Sequence, residues 1–220
     1  MLKVIIFDMD GVIVDTEYLD FQLQSELIKS FAKEPENLTY ENFSSLVGLS
    51  GQQLLNRIKD LSQTDLPFVE IEAELEKIAQ KKYHQTNYKD IFREDIVEIL
   101  SYAKDNGIQL AVASSSREEH IREVLSACGI MDYFDLILSG EHFYVSKPDP
   151  AIYQAVLKKI GLQADQAVAI EDSSYGILAA KRAGLTVIAY EENRMLIDQS
   201  LADYKGKNMK EILTIIQQMA

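Results

Sequence analysis

The chain has 220 residues, more than one average domain and fewer than two, so a main domain carrying a smaller insert suits its length. Its 47% hydrophobic content supplies a core, whereas 35 acidic against 22 basic residues, a formal net charge of -13, argue against nucleic acid and anionic membranes as partners. The lone Cys128 excludes an intrachain disulfide and a thiolate metal cluster, and its periodic helical surroundings give it a place in the core.

The opening run MLKVIIFD is too short for a signal peptide or a membrane span, and no later run approaches about 18 apolar residues. A soluble intracellular protein is the expectation. Val4 to Phe7 reads as a buried strand. Thr16 to Tyr88 then offers helical periodicities (Phe21–Phe31, Gln52–Leu61, Phe68–Tyr83) and no convincing strand, with the charge-rich stretch from Glu70 to Lys82 as a solvated face. Beyond it, helix and strand alternate: helices at Ile96–Asn106, Glu118–Cys128, Ile152–Ile160 and Tyr175–Ala183, strands at Leu110–Ala113, Leu136–Leu138, Ala167–Ile170 and Thr186–Ala189. That alternation predicts an α/β fold, a doubly wound parallel sheet built from residues 1–15 and 89–220, with residues 16–88 as an all-helical insert after the first strand. The insert leaves and returns above the carboxyl ends of the strands, where ligands bind in open α/β sheets, so it is placed as a lid.

Four motifs fall where strand runs give way to turns or helices. In VIIFDMDG the strand delivers Asp8 and Asp10 to one side, so both carboxylates address one centre. Asp10-Gly11 alone is explained by a turn, but Asp8 closing so apolar a run asks to be ligated, paired or functional. Two crowded carboxylates need a cation or a proton transfer, and phosphoryl transfer uses both, one acid attacking phosphorus and the other moving the proton. In LAVASSS a strand ends in Ser114, Ser115 and Ser116, hydroxyls suited to phosphate oxygens or simply to capping a helix. In SKPDP, Asp149 and Pro150 are accounted for by helix initiation, whereas Lys147 is free to hold a phosphoryl group. In AIEDSS, Glu171 and Asp172 offer oxygen ligands to magnesium or stabilise a helix start, with Ser173 or Ser174 as its cap.

Together, DMDGVIVDTE, SSS, SKPDP and IEDS, in that order and over nearly the whole chain, resemble the haloacid dehalogenase superfamily, in particular its phosphatase and β-phosphoglucomutase branch. The resemblance implies a Rossmann-like core with a small helical cap and a phosphoric monoester hydrolase acting on a small phosphorylated metabolite with Mg2+. It implies Asp8 as nucleophile and magnesium ligand, and Asp10 as general acid/base that also offers its carbonyl to the metal. Ser114, Ser115 and Lys147 would bind the phosphoryl group. Asp172 would ligate the ion directly, and Glu171 would act through water or orient Lys147. Asp10 favours phosphate esters over carbon–halogen bonds, because dehalogenases of the superfamily generally lack that second acid.

Departures from the family bear on the substrate. Mutases of this branch carry an arginine in the cap loop, where VGLSGQQLL has Gly51 and Gln52, the nearest arginine being Arg57. Asp20 stands where many relatives have a histidine, and KDIFREDI replaces a common Pro-Gly. The missing arginine and histidine favour hydrolysis over mutase action, whereas the third departure bears on the local loop geometry and not on catalysis; a non-catalytic phosphometabolite binder is disfavoured because every catalytic position is filled. Substrate-reading residues are expected within Leu46–Gln53, Gly48 and Gln52 among them. His84, His120 and His142 lack metal-ligand spacing; only His142, near Lys147, is within sequence reach of a substrate.

Overall fold

Successive residues of a strand face opposite ways, and both faces of this sheet are covered. The computed structural model describes residues 1–85 and 87–219, with side chains for all of these except 81–85. In chain order the elements are β1 (Val4–Phe7), α1 (Glu17–Phe31), α2 (Tyr40–Ser44), α3 (Gly51–Ser62), α4 (Phe68–Gln85), α5 (Tyr88–Ile91), α6 (Ile96–Asp105) and β2 (Gln109–Ser114). There follow α7 (Glu118–Ala127), β3 (Leu136–Ser139), α8 (Ala151–Ile160), β4 (Ala167–Glu171), α9 (Ser174–Arg182), β5 (Thr186–Tyr190), β6 (Tyr204–Gly206) and α10 (Met209–Met219).

The six strands pair in parallel in the order β3-β2-β1-β4-β5-β6. The chain builds outward from β1 through β2 to β3, then crosses back to lay β4 against the other side of β1. The order therefore reverses between β1 and β4, and the crevice beyond their carboxyl ends is the switch point at which doubly wound sheets bind ligands.

Ile5, Phe7, Leu110, Val112, Val168 and Ile170 point to one face and pack under α6, α7 and α10. Their alternates Val4, Ile6, Ala111, Ala113, Ala167 and Ala169 point to the other, under α8 and α9. Each fully buried Ile or Val contributes about 1.5–3 kcal/mol, so the strand signal and the core are one feature. All five expected strands are present. The sixth, β6, and the closing helix α10 have no counterpart in the sequence reading, and α1 starts at Glu17, four residues before its expected start at Phe21.

Helices α1 to α4 gather a third apolar cluster of their own, with Phe21, Ile28, Phe43, Leu55, Ile58 and Ile71 buried. One residue of that cluster, Met195, comes from the loop between β5 and β6. The chain passes from sheet to helices and back through paired segments. Asp15 donates its amide to the Ile91 carbonyl at 2.9 Å, and Arg93 donates its own to Ile13 at 3.1 Å. Among the described residues no helix is long and apolar enough to cross a membrane.

Candidate active site

The ladder between β1 and β4 runs one residue past β1, where the Asp8 amide donates to the Ile170 carbonyl at 3.0 Å. The chain then turns sharply through Gly11, at φ +80°. A Cβ at Gly11 would sit 1.9 Å from Asp172 Oδ2, so the turn needs glycine both for its left-handed backbone and for the approach of that carboxylate. Asp8 and Asp10 thus reach one cleft through a turn rather than through the strand alternation expected from their spacing.

Lys147 rises from the turn before α8 into this crevice and is almost wholly buried. Its Nζ donates to Asp8 Oδ1 at 2.6 Å, to Glu171 Oε1 at 2.6 Å and to the Ala113 carbonyl at 2.9 Å, which uses all three of its hydrogens. Glu171, fully buried at the end of β4, also accepts from the hydroxyl of Tyr153 on α8. The amino end of α9 presses so close to Glu171 that a Cβ at Gly176 would lie 2.0 Å from its carboxylate. Ser173 caps that helix, its Oγ accepting from the Gly176 amide at 3.0 Å.

Asp10 is clamped on both oxygens: Thr16 Oγ donates to Oδ1 at 2.5 Å and Ser116 Oγ to Oδ2 at 2.7 Å. Ser114 is buried at the end of β2, where its Oγ accepts the Ser116 amide at 3.1 Å, and Ser115 is exposed at the cleft. The cleft encloses about 270 Å³, and its walls bring together Asp8, Asp10, Ser114, Ser115, Lys147 and Asp172. Gly48 lines it from the helical side, whereas Gln52 lies on a neighbouring groove and donates to Asn56 at 3.0 Å.

Negative charge exceeds positive charge here in a place with little water. Burial pushes the Asp8 carboxyl up to about 8; the Lys147 ammonium opposes this, while Glu171 and Asp10 reinforce it. Burial, then Glu17 and Asp8, raises Asp172 well above the carboxylate range. Burial alone would lower Lys147, but Asp8 and Glu171 more than reverse it and keep the ammonium charged. Asp172 Oδ2 is buried with no hydrogen-bond partner among the described residues. Ligand oxygens of Asp8, Glu171 and Asp172 lie within 4.8 Å of one another. An orphaned carboxylate oxygen inside an all-oxygen donor set fits a hard divalent cation.

Several residues of the site carry no signal in the sequence. Thr16 lies within DMDGVIVDTE but is given no role by it, Tyr153 lies outside the motifs, and Arg117, which also lines the cleft, reaches Glu76 of α4 at 3.6 Å. Arg57 donates to Ser45 at 2.9 Å inside the helical cluster. Asp20 lines the cleft. His142 pairs with Glu118 at 3.0 Å, and neither lines the cleft; His120 is buried against Tyr88; the His84 side chain lies outside the described residues. Cys128 packs half-buried against the core, where burial pushes its thiol up to about 11.

Residues 5–190 match the model of haloacid dehalogenase-like hydrolases. The chain is 28% identical to a phosphorylated carbohydrates phosphatase of Thermotoga maritima, over 84% of this chain and 82% of that protein. It is also 28% identical to a phosphoglycolate phosphatase of Haemophilus influenzae, over 97% and 98% of the two. Its fold superposes on a β-phosphoglucomutase of Clostridium difficile with a TM-score of 0.81 at 24% identity, covering 100% of this chain and 97% of the other. With the parallel sheet, the acidic switch-point cleft and a match spanning most of its length, the chain belongs to the haloacid dehalogenase-like hydrolases.

Proposed function

We propose that this protein is a magnesium-dependent phosphatase that hydrolyses a small phosphorylated metabolite through a phosphoryl group carried on Asp8. It is a phosphoric monoester hydrolase by family and by its phosphatase relatives. The single observation that carries the mechanism is the contact of Lys147 with both Asp8 and Glu171, 2.6 Å each, facing Asp172 and its unpartnered oxygen.

Asp8, Asp172, the Asp10 carbonyl and, directly or through water, Glu171 would hold the ion. When bound, magnesium neutralises charge that develops on the phosphoryl oxygens. Asp8 attacks phosphorus in line; the P–O bond to the metabolite breaks as the bond to the Asp8 carboxylate forms. Asp10, oriented by Thr16 and Ser116, gives its proton to the departing alkoxide. It then takes a proton from the water that attacks phosphorus, which releases inorganic phosphate and restores Asp8. Lys147 opposes the burial that raises Asp8 and, by giving up its hydrogen bond to Asp8, meets the transferring oxygens; Ser114 and Ser115 line the same cleft. Residues 16–88 serve as a lid, and Gly48, Leu49 and Ser50, which line the cleft, read the substrate, with Gln52 on the neighbouring groove.

Hydrolysis is favoured over mutase action because the cap loop Leu46–Gln53 contains no arginine or lysine to hold a second phosphate, and Arg57, the nearest arginine, donates from its Nε to Ser45. The test is magnesium-dependent phosphate release from an aryl phosphate and a panel of sugar and short-acid phosphates. Asp8→Asn should lower kcat by at least about 10³-fold, in line with the loss of a nucleophile. Equal inactivity of both proteins across the panel overturns the reading, and conversion of β-glucose 1-phosphate mainly to glucose 6-phosphate would favour the mutase.

A further inference from the structure

The chain leaves β5 at Tyr190 and takes an irregular path to β6. Along it, Met195 is only 3% exposed, buried in the apolar cluster of α1 to α4. Leu196 donates its amide to Ser44 Oγ at 3.1 Å, and Arg194 grips Asp15 with two bonds of 2.7 and 2.8 Å. Two residues beyond Leu196, the Asp198 carbonyl accepts from Ser174 Oγ at 2.7 Å. The segment is therefore pinned at both ends, to the helices above the cleft and to the amino end of α9.

Gln199 closes this segment, 3% exposed. Its amide nitrogen donates to the Asp172 carbonyl at 2.6 Å and to the Tyr190 carbonyl at 2.8 Å, and its oxygen accepts the Glu192 amide at 3.3 Å. Two carbonyls on one side and an N–H on the other leave only one orientation for the amide. The regular pairing of β4 with β5 ends at Glu171 and Ala189, so the Gln199 amide joins the two chains one residue beyond the ladder. A buried carbonyl without that donor would lose this partner, and the main chain of Asp172 would be free to shift.

We propose that Gln199 is a positioning residue for the divalent ion: its amide fixes the main chain of Asp172 and thereby aims the carboxylate at the cleft. The proposal rests on the phosphatase reading, since the Asp172 carboxylate is the ligand being aimed. Magnesium binding to the full chain, measured by calorimetry and by the electron spin resonance of Mn2+ as its stand-in, tests it on wild type, Gln199→Met and Gln199→Glu. Methionine keeps the shape and removes the donor; glutamate keeps the shape and sets an oxygen against the two carbonyls.

Both variants should weaken metal binding about 10-fold, the scale of lost outer-sphere support. Saturating magnesium should return kcat of the methionine variant to within about threefold of wild type, because the reacting groups are untouched. A dissociation constant for Gln199→Met within twofold of wild type overturns the proposal and leaves the phosphatase reading standing. A kcat that magnesium does not restore also overturns it, since that marks general structural damage. Wild type that binds no divalent ion brings down the phosphatase reading itself.

Discussion

A methyl group at position 11 would collide with Asp172 Oδ2, and the backbone there already sits at φ +80°. Gly11→Ala therefore combines left-handed strain, about 1 kcal/mol, with the displacement of a metal acid. The expected outcome is a loss of about 1–3 kcal/mol in stability by thermal unfolding, with magnesium affinity falling at least about 10-fold by calorimetry. Retained affinity would show that Asp172 has another position from which to bind. At this scale the sequence is informative where one residue contradicts its surroundings: Asp8 ending an apolar strand, or Lys147 before a proline. It is silent where a role is conferred by a distant partner. Ser116 meets Asp10 across 106 positions, Lys147 meets Asp8 across 139, and the Gln199 amide meets Asp172 across 27. Thr16 lies only six residues from Asp10, yet hydroxyls near acids are too common to stand out.

Elements were legible in proportion to their apolar periodicity. β1, β2, β4 and β5 are buried almost without interruption and announce themselves. β6 has three residues, two of them exposed, and offers no such pattern; α10 is amphipathic but follows an irregular loop that interrupts the alternation. The pairing of the two segments that join sheet and helices carries no such pattern either, because it joins distant residues through a few backbone bonds and through charge. Asp15 accepts from Arg93 at 3.1 Å and from both ends of the Arg194 guanidinium. Burial would raise its carboxyl, but the Arg194 hydrogen bonds, then the Arg93 and Arg194 charges, hold it below the ordinary value. A carboxyl depressed on folding stabilises the protein above its unfolded pKa, about 3.9, and that contribution is lost as pH falls through the folded value. Asp15→Asn should accordingly unfold about 2–4 °C below wild type at pH 7, the equivalent of roughly 1 kcal/mol, and the gap should narrow below about pH 4. A gap that is constant from pH 7 to pH 3 would place the effect in packing instead.

For the whole molecule the excess of acid is felt most where water is scarcest. A net charge of -13 spread over the surface is screened by salt within about 8–10 Å, but Asp8, Glu171 and Asp172 are buried together with Lys147 as the cation among them. The fold holds these acids in place through the sheet, Gly11 and Gly176, so their mutual repulsion subtracts from the stability of the metal-free protein. An ion that binds only the folded state returns that stability by mass action: at 100 times the dissociation constant the gain is about 2.7 kcal/mol, or roughly 5–10 °C for a chain of this size. Asp172→Asn separates the two effects. Without metal it should melt above wild type, because a neutral amide replaces a buried carboxylate with an unpartnered oxygen; with magnesium it should show little of the wild-type rise. Differential scanning calorimetry of both proteins, with magnesium and with chelator, reads all four values. A metal-free Asp172→Asn protein less stable than wild type would mean that the Asp172 carboxylate contributes more through contacts in the fold than it loses to Asp8, Glu17 and Glu171, and the electrostatic account of the cleft would fail with it.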